Sequence, residues 1–156
     1  MKRFLLFVFV LLSGCAKKPP LPDAQRIQGE WVVVDFQSPK KDEDRGQRRK
    51  RAIISEATWS EQFQGDTFED FEYKLDPSKS PKEVDLIFTN ASGQKLTIRG
   101  IYELTEPDHI GDALRVCFDA AVVVEKNKKE EFVESVRPKT FESKTGTLIR
   151  FRRKTE

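Results

Sequence analysis

The chain has 156 residues, the length of one ordinary domain. Apolar residues make up 37% of it and charged residues 35%, a polar composition that nevertheless excludes a fully disordered chain. The 28 basic and 26 acidic side chains nearly balance, so the net charge gives no reason to expect nucleic acid as a partner. Twelve phenylalanines predict a core built mainly from plain aromatic rings.

The N-terminal segment has the order of features that is typical of an export signal. A basic pair at positions 2–3 precedes an apolar run at 4–12, which is too short to span a bilayer because a spanning helix takes about 20 residues. The sequence LSGC at 12–15 follows and resembles the lipobox of bacterial lipoproteins. The resemblance implies that residues 1–14 are a signal peptide and that Cys15 becomes the N-terminus, carrying a diacylglycerol thioether and an amide-linked acyl chain such as palmitate. In the alternative, the signal peptide is an ordinary one and Cys15 is incidental.

A lipidated Cys15 would hold the domain on a membrane of the bacterial cell envelope, because each buried CH₂ of an acyl chain contributes about 0.8 kcal/mol. Cleavage removes two basic side chains and leaves 26 of each sign, so the mature chain is formally neutral. Residues 15–26 are predicted to be the lipidated N-terminus and a proline-rich tether, and 27–156 the folded domain. If Cys15 is lipidated, Cys117 is the one remaining thiol, so no intrachain disulfide is expected.

Short β-prone runs occupy the first half of the domain. Gly29-Glu30-Trp31 opens a strand whose consecutive valines do not define an inward face. Residues 38–51 are dense in both charges and predict a surface loop, with a specific anion site at 48–51 as the less favoured alternative. Further strands are predicted at 52–55, 58–63 and 68–75. Phe68 breaks the alternation of the last of these strands, which indicates a bulge or a later strand start.

The central stretch, Glu83–Leu104, predicts a β-hairpin with one dry face. Apolar side chains alternate along both of its arms, and a polar loop at 90–93 separates them. Gly100 lies on the dry face of the second arm and indicates a sharp bend or a close backbone contact. The alternating dry-face residues are Val84, Leu86, Phe88, Leu96, Ile98, Tyr102 and Leu104.

The last third of the chain predicts one more alternating strand, a hairpin and a final strand. Leu114, Val116 and Phe118 share one face, and the β-prone runs within 120–136 predict an extra hairpin inserted before a strand at 147–153. No helical periodicity of ordinary length occurs in the mature chain. The prediction is therefore an all-β domain, an antiparallel up-and-down β-barrel of about eight strands with this hairpin as an insertion.

Four blocks also resemble a known family. Gly29-Glu30-Trp31 looks like the G-x-W motif of lipocalins, and LDPSKSPKEVDL at 75–86 resembles the L-D-P-x-K-x-P-K-x-x-D-L signature of a lipocalin-like domain family of unknown function, best known from planctomycetes. GIYEL at 100–104 with LRVCF at 114–118, and RPKTF at 137–141, match later blocks of the same family. The resemblance implies a lipocalin-like barrel and no assigned activity. The segment 120–136 is longer than the family's usual connection.

The resemblance also implies how one end of the barrel is closed. In lipocalins an arginine of the last strand packs over the G-x-W tryptophan. Here the parity of the last strand selects Arg153 to pack over Trp31, a cation–π contact that contributes about 0.5–2 kcal/mol. This predicted role is structural.

Residues that would carry enzyme chemistry are scarce. The lone histidine, His109, lies in a polar turn, and a base needs a positioned partner. The nucleophile-elbow, zinc, dithiol, phosphate-loop and dinucleotide motifs are missing from the sequence. Cys117 is expected to be a packed side chain rather than a nucleophile. The sequence therefore predicts no enzyme, no metal and no cofactor.

The first functional hypothesis is a membrane-anchored barrel that binds a small hydrophobic ligand in its interior; in the alternative, the same side chains fill a solid core. The second is an envelope module that meets a protein partner through its outer surface or the 120–136 insertion. Nucleic acid is not an expected partner. The candidate lining residues are Trp59, Phe71, Tyr73, Val84, Leu86, Phe88, Leu96, Ile98, Tyr102, Leu114, Val116 and Phe118.

Overall fold

The structure is a computed structural model that describes residues 21–39, 51–62, 68–91, 93–105, 113–119, 123–126, 129–132, 135–142 and 146–155. Across these residues the chain forms one helical turn, α1 (Asp23–Arg26), and ten strands. The strands are β1 (Gly29–Gln37), β2 (Arg51–Ile54), β3 (Thr58–Gln62), β4 (Phe68–Asp76), β5 (Lys82–Thr89), β6 (Lys95–Leu104), β7 (Ala113–Asp119), β8 (Val123–Lys126), β9 (Lys129–Phe132) and β10 (Gly146–Arg153).

Eight of these strands form a closed antiparallel barrel in the order β1-β10-β7-β6-β5-β4-β3-β2. Each of β1 to β6 pairs with the next strand along the chain, and β10 closes the barrel by pairing with both β7 and β1. β8 and β9, which lie between β7 and β10 in the sequence, form a separate two-stranded sheet. The predicted fold, an all-β up-and-down barrel of eight strands with an inserted hairpin, is confirmed.

The barrel has two ends that differ in their covering. We call one end the floor: it holds the start of β1, the end of β4, the start of β5 and the end of β10. We call the opposite end the mouth: it holds the end of β1, the start of β4, the end of β5 and the start of β10. α1 precedes β1 and therefore lies at the floor.

The central hairpin has the register that its alternation predicts. Leu86 pairs with Ile98 and Val84 pairs with Gly100, so the apolar residues of β5 and β6 face the same side. The connection contains Gly93 at φ 80°, a left-handed conformation that glycine adopts without strain. The other barrel strands also place alternate side chains on that side. One core cluster therefore fills the interior.

An irregularity in β1 explains why the sequence pattern of its valines did not show which of them face the interior. The β1–β10 register shifts between Val33 and Asp35, as it does at a β-bulge, so the inward positions change parity along the strand. Trp31, Val33 and Phe36 belong to or pack on the core, while Val34 is 51% exposed. The prediction of a bulge or a later strand start near Phe68 is wrong in both forms: β4 begins at Phe68 with a regular register, and the Phe68 side chain faces outward against Arg51.

A segment after the insertion packs on the outside of the barrel wall. We call residues 135–142 the strap. Its Phe141 packs on a second apolar cluster formed by the outward-facing side chains of Ile101, Cys117 and Leu148. Since Val116 and Phe118 face the interior, alternation along β7 puts Cys117 on the outer face, and the strap explains why it is nevertheless fully buried.

Candidate functional site

The floor is closed by the segment that leads into β1. Ile27 and Trp31 are fully buried there, and the Trp31 indole nitrogen donates a hydrogen bond of 2.7 Å to the carbonyl of Ile27. Residues 23–26, which the sequence assigned to the tether, form α1 and pack under the barrel. The closure is therefore a short piece of chain folded back across the strand ends, not only a pair of side chains.

Arg153, at the end of β10, is the residue that the sequence paired with Trp31. Its Cζ atom lies 4.4 Å from the centroid of the Trp31 ring, and its guanidinium donates to the carbonyls of Gln28, at 2.6 Å, and Arg26. Gly29 has φ 127°, and a Cβ atom there would lie 2.5 Å from Arg153 Nη1. The glycine of the G-x-W motif therefore leaves the space that the guanidinium occupies.

A polar contact fixes α1 to the floor. Lys82 Nζ and the Tyr102 hydroxyl both donate to Asp23 Oδ2, at 2.7 and 2.9 Å. Burial raises the pKa of the Asp23 carboxyl, but the two hydrogen bonds, together with the positive charges of Lys82 and Arg26, hold that pKa below its ordinary value. Burial, followed by the hydrogen bond to Asp23, raises the pKa of Tyr102, so its hydroxyl stays a donor.

The structure brings the predicted lining residues other than Leu96 into one cluster inside the barrel. Trp59, Tyr102 and Val116 are almost completely buried, whereas Tyr73, Phe88 and Ile98 are half-buried and pack on the cluster's edge. Leu96 lies directly across from Phe88 at the mouth. The other members among the predicted residues are Phe71, Val84, Leu86, Leu114 and Phe118.

Aromatic rings occupy the middle of the interior. Trp59 meets Tyr73, Phe118 and Phe151 edge to face, with ring centroids 6.3, 6.4 and 6.2 Å away. Phe71 and Phe88 form a similar pair nearer the mouth, at 5.9 Å. The middle of the barrel is thus filled by interlocking rings.

Gly100 makes room for one of those rings. A Cβ atom at this position would lie 2.4 Å from Phe118 Cδ1, so the ring packs directly on the glycine backbone. The close contact that the sequence indicated at Gly100 is present, and Phe118 is its partner.

Sequence reasoning missed Glu61. Its carboxylate is 1% exposed inside the barrel, where Oε1 accepts a hydrogen bond of 3.1 Å from the Trp59 indole nitrogen. Glu61 lies directly across from Ala52, a small neighbour, and one position from the mouth end of β3. Parity with Trp59 was the available signal, but a glutamate is ordinarily expected to face water.

The outer wall carries a charged site around the strap. Arg137 donates to the carbonyls of Gly100 and Val84, at 2.6 and 3.2 Å, and to Asp85 Oδ1 at 2.6 Å. Its Nε atom also lies 3.3 Å from Glu83 Oε2. Depressions of about 310 and 450 Å³ lie beside Arg137, and both are lined by charged side chains of either sign. These contacts fasten the strap to β5 and β6.

Within the described part of the chain, no group of three or more His, Cys, Asp or Glu side chains is arranged to hold a metal ion. Burial, and then Asp119, raises the pKa of the Cys117 thiol, which therefore stays protonated. Cys15, His109 and the first three residues of the predicted basic run at 48–51 lie outside the described residues. Arg51, the last residue of that run, begins β2 and donates to Glu30 Oε1 at 2.8 Å. Where the structure describes the chain, it contains no helix long and apolar enough to cross a membrane.

The fold and its interior define the class of protein: an eight-stranded antiparallel β-barrel with one covered end and an aromatic core. Comparison of the chain with protein-family models, with curated proteins and with solved structures found no match.

Proposed function

We propose that this protein is a membrane-anchored bacterial lipoprotein whose barrel binds a small apolar molecule through its mouth. The observation that supports this most directly is a group of half-buried inward side chains at the mouth. Toward the floor, side chains such as Trp31 and Val84 are fully buried, whereas Phe36, Phe88 and Ile98, toward the mouth, are only half-buried. An eight-stranded barrel has room inside for packed side chains or for one small ligand. Half-buried inward rings at one end favour a shallow apolar site there.

The side chains near the mouth restrict the chemistry of such a ligand. Its body would meet Phe88, Ile98 and Phe71, which offer apolar surface and ring edges. It would also approach the buried carboxyl group of Glu61, near the mouth end of β3, and the indole of Trp59. Moving an anionic group into an apolar interior costs more desolvation free energy than moving a neutral one, so we expect a neutral molecule in preference to a fatty-acid-like anion.

The proposed address comes from the N-terminal sequence. The lipobox-like LSGC at 12–15 supports Cys15 as the lipid anchor and the cell envelope as the location. The ordered motif blocks support membership of the lipocalin-like family, and a binding protein without catalytic activity fits a chain whose sequence lacks the common catalytic motifs.

Two measurements on the chain beginning at Ala16 test the binding proposal. The first is native mass spectrometry, and the second is titration with the neutral apolar dye Nile red. We expect a small co-purified molecule, or saturable dye fluorescence at one dye per chain. Ile98→Trp should abolish dye binding by filling the mouth, whereas Val34→Trp, on the outer surface, should leave it unchanged. An empty protein that gives no saturable dye signal, or an Ile98→Trp variant that binds normally, would refute the proposal.

A second function is favoured by the inserted hairpin. β8 and β9 pair with each other and with none of the eight barrel strands, so the barrel does not need them for closure. An interaction module that uses this hairpin against an envelope protein would lose its partner when residues 121–133 are replaced by a short turn. Dye binding by the barrel would persist in that variant.

A further inference from the structure

The chain enters the barrel at the floor, and we propose that the floor faces the bilayer while the mouth opens into the aqueous phase. This inference rests on the proposed lipid anchor at Cys15. It concerns how the barrel is oriented on the membrane and from which side a ligand reaches it. Two observations carry it: the contacts that fix residues 23–28 to the floor, and the short distance in sequence to Cys15.

α1 is tied to β5 and β6 at their floor ends. The Asp23 carboxylate accepts hydrogen bonds from Lys82, the first residue of β5, and from Tyr102 near the end of β6. The Arg26 guanidinium donates to the carbonyl of Thr105, directly after β6, at 2.8 Å. These contacts join residues far apart in sequence, so they determine where the N-terminal chain lies on the folded barrel.

The next residues are tied to β1 and β10. Arg153 donates to the carbonyls of Arg26 and Gln28, and Trp31 donates to that of Ile27, which is fully buried. Residues 23–28 thus contact four strands at one end of the barrel. Leu21, two residues before Asp23, is 54% exposed, so the chain leaves the barrel surface at the floor.

The chain between the anchor and α1 is short. Cys15 lies eight residues before Asp23, and eight residues span at most about 29 Å. The barrel wall is about 20 Å tall, since strands of this length tilt by about 40°. For the mouth to face the bilayer, the segment would have to run nearly straight along the outer wall. With the floor toward the bilayer no such stretching is required, and a chain segment that need not be stretched costs less entropy.

The closed floor has a consequence for ligand access. Ile27, Trp31 and the Arg153 guanidinium cover the strand ends at the floor, so lipid chains on that side do not meet the core. A ligand of the barrel therefore enters from the aqueous phase, at the end farther from the bilayer.

Fluorescence quenching on vesicles tests the orientation. The full-length lipidated protein, carrying Cys117→Ala so that the buried thiol does not react, is labelled at Lys79→Cys or at Ala91→Cys. These exposed positions lie in the connections at opposite ends of β5, one at the floor and one at the mouth. On phosphatidylcholine vesicles with nitroxide-bearing headgroups, we expect quenching of the Lys79→Cys label to be severalfold stronger. Equal quenching, or stronger quenching at Ala91→Cys, would overturn the proposed orientation.

Two variants separate this result from a failure of the proposed function. Flotation of the wild-type protein with vesicles, lost in Cys15→Ser, establishes the anchor; a protein that does not float refutes the anchor and the orientation with it. Deleting residues 18–20 leaves Cys15 five residues from Asp23, a reach of at most about 18 Å. We expect the quenching pattern to survive this deletion. A reversal of the pattern on deletion would contradict the proposed orientation. Nile red binding, measured separately, reports on the ligand proposal alone.

Discussion

Trp31 joins three parts of the barrel floor. Its ring is fully buried, its indole nitrogen donates to Ile27, and the Arg153 guanidinium stacks on its face. Removing the side chain therefore creates a cavity. It also removes the hydrogen-bond donor to the Ile27 carbonyl and the ring on which the Arg153 guanidinium stacks.

We expect Trp31→Ala to lower the free energy of unfolding by about 3–5 kcal/mol, the usual cost of removing a buried Trp or Phe side chain. Val32→Ala is the matched control, because Val32 is the next residue and its side chain is 38% exposed. Urea unfolding followed by circular dichroism measures both. Equal midpoints for the two variants would mean that Trp31 does not close the floor.

Asp23 gives the floor contact a pH dependence. Its pKa in the folded protein lies below the ordinary value of 3.8, so the contact stabilises the fold fully above that value. The contribution is lost as the pH falls through the lower, folded-state pKa. We expect Asp23→Asn to cost about 1–2 kcal/mol near neutral pH, and the difference from wild type to shrink on acidification.

Thermal unfolding of Asp23→Asn at a series of pH values measures this dependence. The control is Glu72→Gln, which removes a partner from an exposed ion pair with Lys95 and should leave the melting temperature unchanged. A difference between Asp23→Asn and wild type that stayed constant down to strongly acidic pH would contradict the role assigned to the carboxylate.

Some of these residues were predictable and others were not. Trp31 and Arg153 were found because a motif and strand parity point to them. Asp23 was missed because its partners, Lys82 and Tyr102, lie 59 and 79 residues away in sequence. Glu61 was missed because parity and polarity predict opposite faces for it. Long-range polar contacts of this kind leave no periodic pattern in the sequence.

At the scale of elements, the strap turns an outer face of the sheet into a second core. Arg137 fastens it to β5 and β6, and Phe141 covers the cluster that contains Cys117. The Arg115 guanidinium lies 4.1 Å from the centroid of the Phe141 ring, on the wall beneath it. The sequence predicted that inward and outward side chains alternate along each strand. The burial of apolar residues on the outer face is explained by the strap that packs on them.

We expect Phe141→Ala to uncover Cys117 and to speed the reaction of its thiol with a disulfide reagent severalfold. The chain beginning at Ala16 contains Cys117 as its single cysteine, so the reaction rate reports on that thiol alone. Lys139→Ala, an exposed change in the same strap, should react as slowly as wild type. A rate for Phe141→Ala that matches the control would show that the aromatic ring is not what protects the thiol.

At the scale of the whole molecule, alternation predicted the barrel because each strand buries every second side chain against a shared interior. The order of the strands followed from short connections between neighbours. The bulge in β1 and the regular start of β4 at Phe68 were not predictable. Both depend on the register in which each strand pairs with its neighbour, and that register is not visible in the sequence of one strand alone. α1 was missed because a helix of four residues has no periodicity of its own.

The same architecture predicts that the insertion is dispensable for folding. Closure depends on pairing of β10 with β7 and β1, in which β8 and β9 take no part. The two ends of the insertion lie close together. The β6–β7 register, continued by one residue, sets Asp119 opposite Arg99, and the Arg99 backbone N–H donates to Ser135 Oγ at 2.7 Å.

A short turn can therefore replace residues 121–133 without moving the strap. We expect the melting temperature of this variant to equal or slightly exceed that of wild type, because a shorter loop costs less entropy to close, by about 1 kcal/mol. Differential scanning calorimetry measures the change, and Arg137→Ala, which releases the strap and keeps the insertion, should destabilise the barrel by comparison. A deletion variant that melted far below wild type would mean that the hairpin is part of the barrel's folding unit.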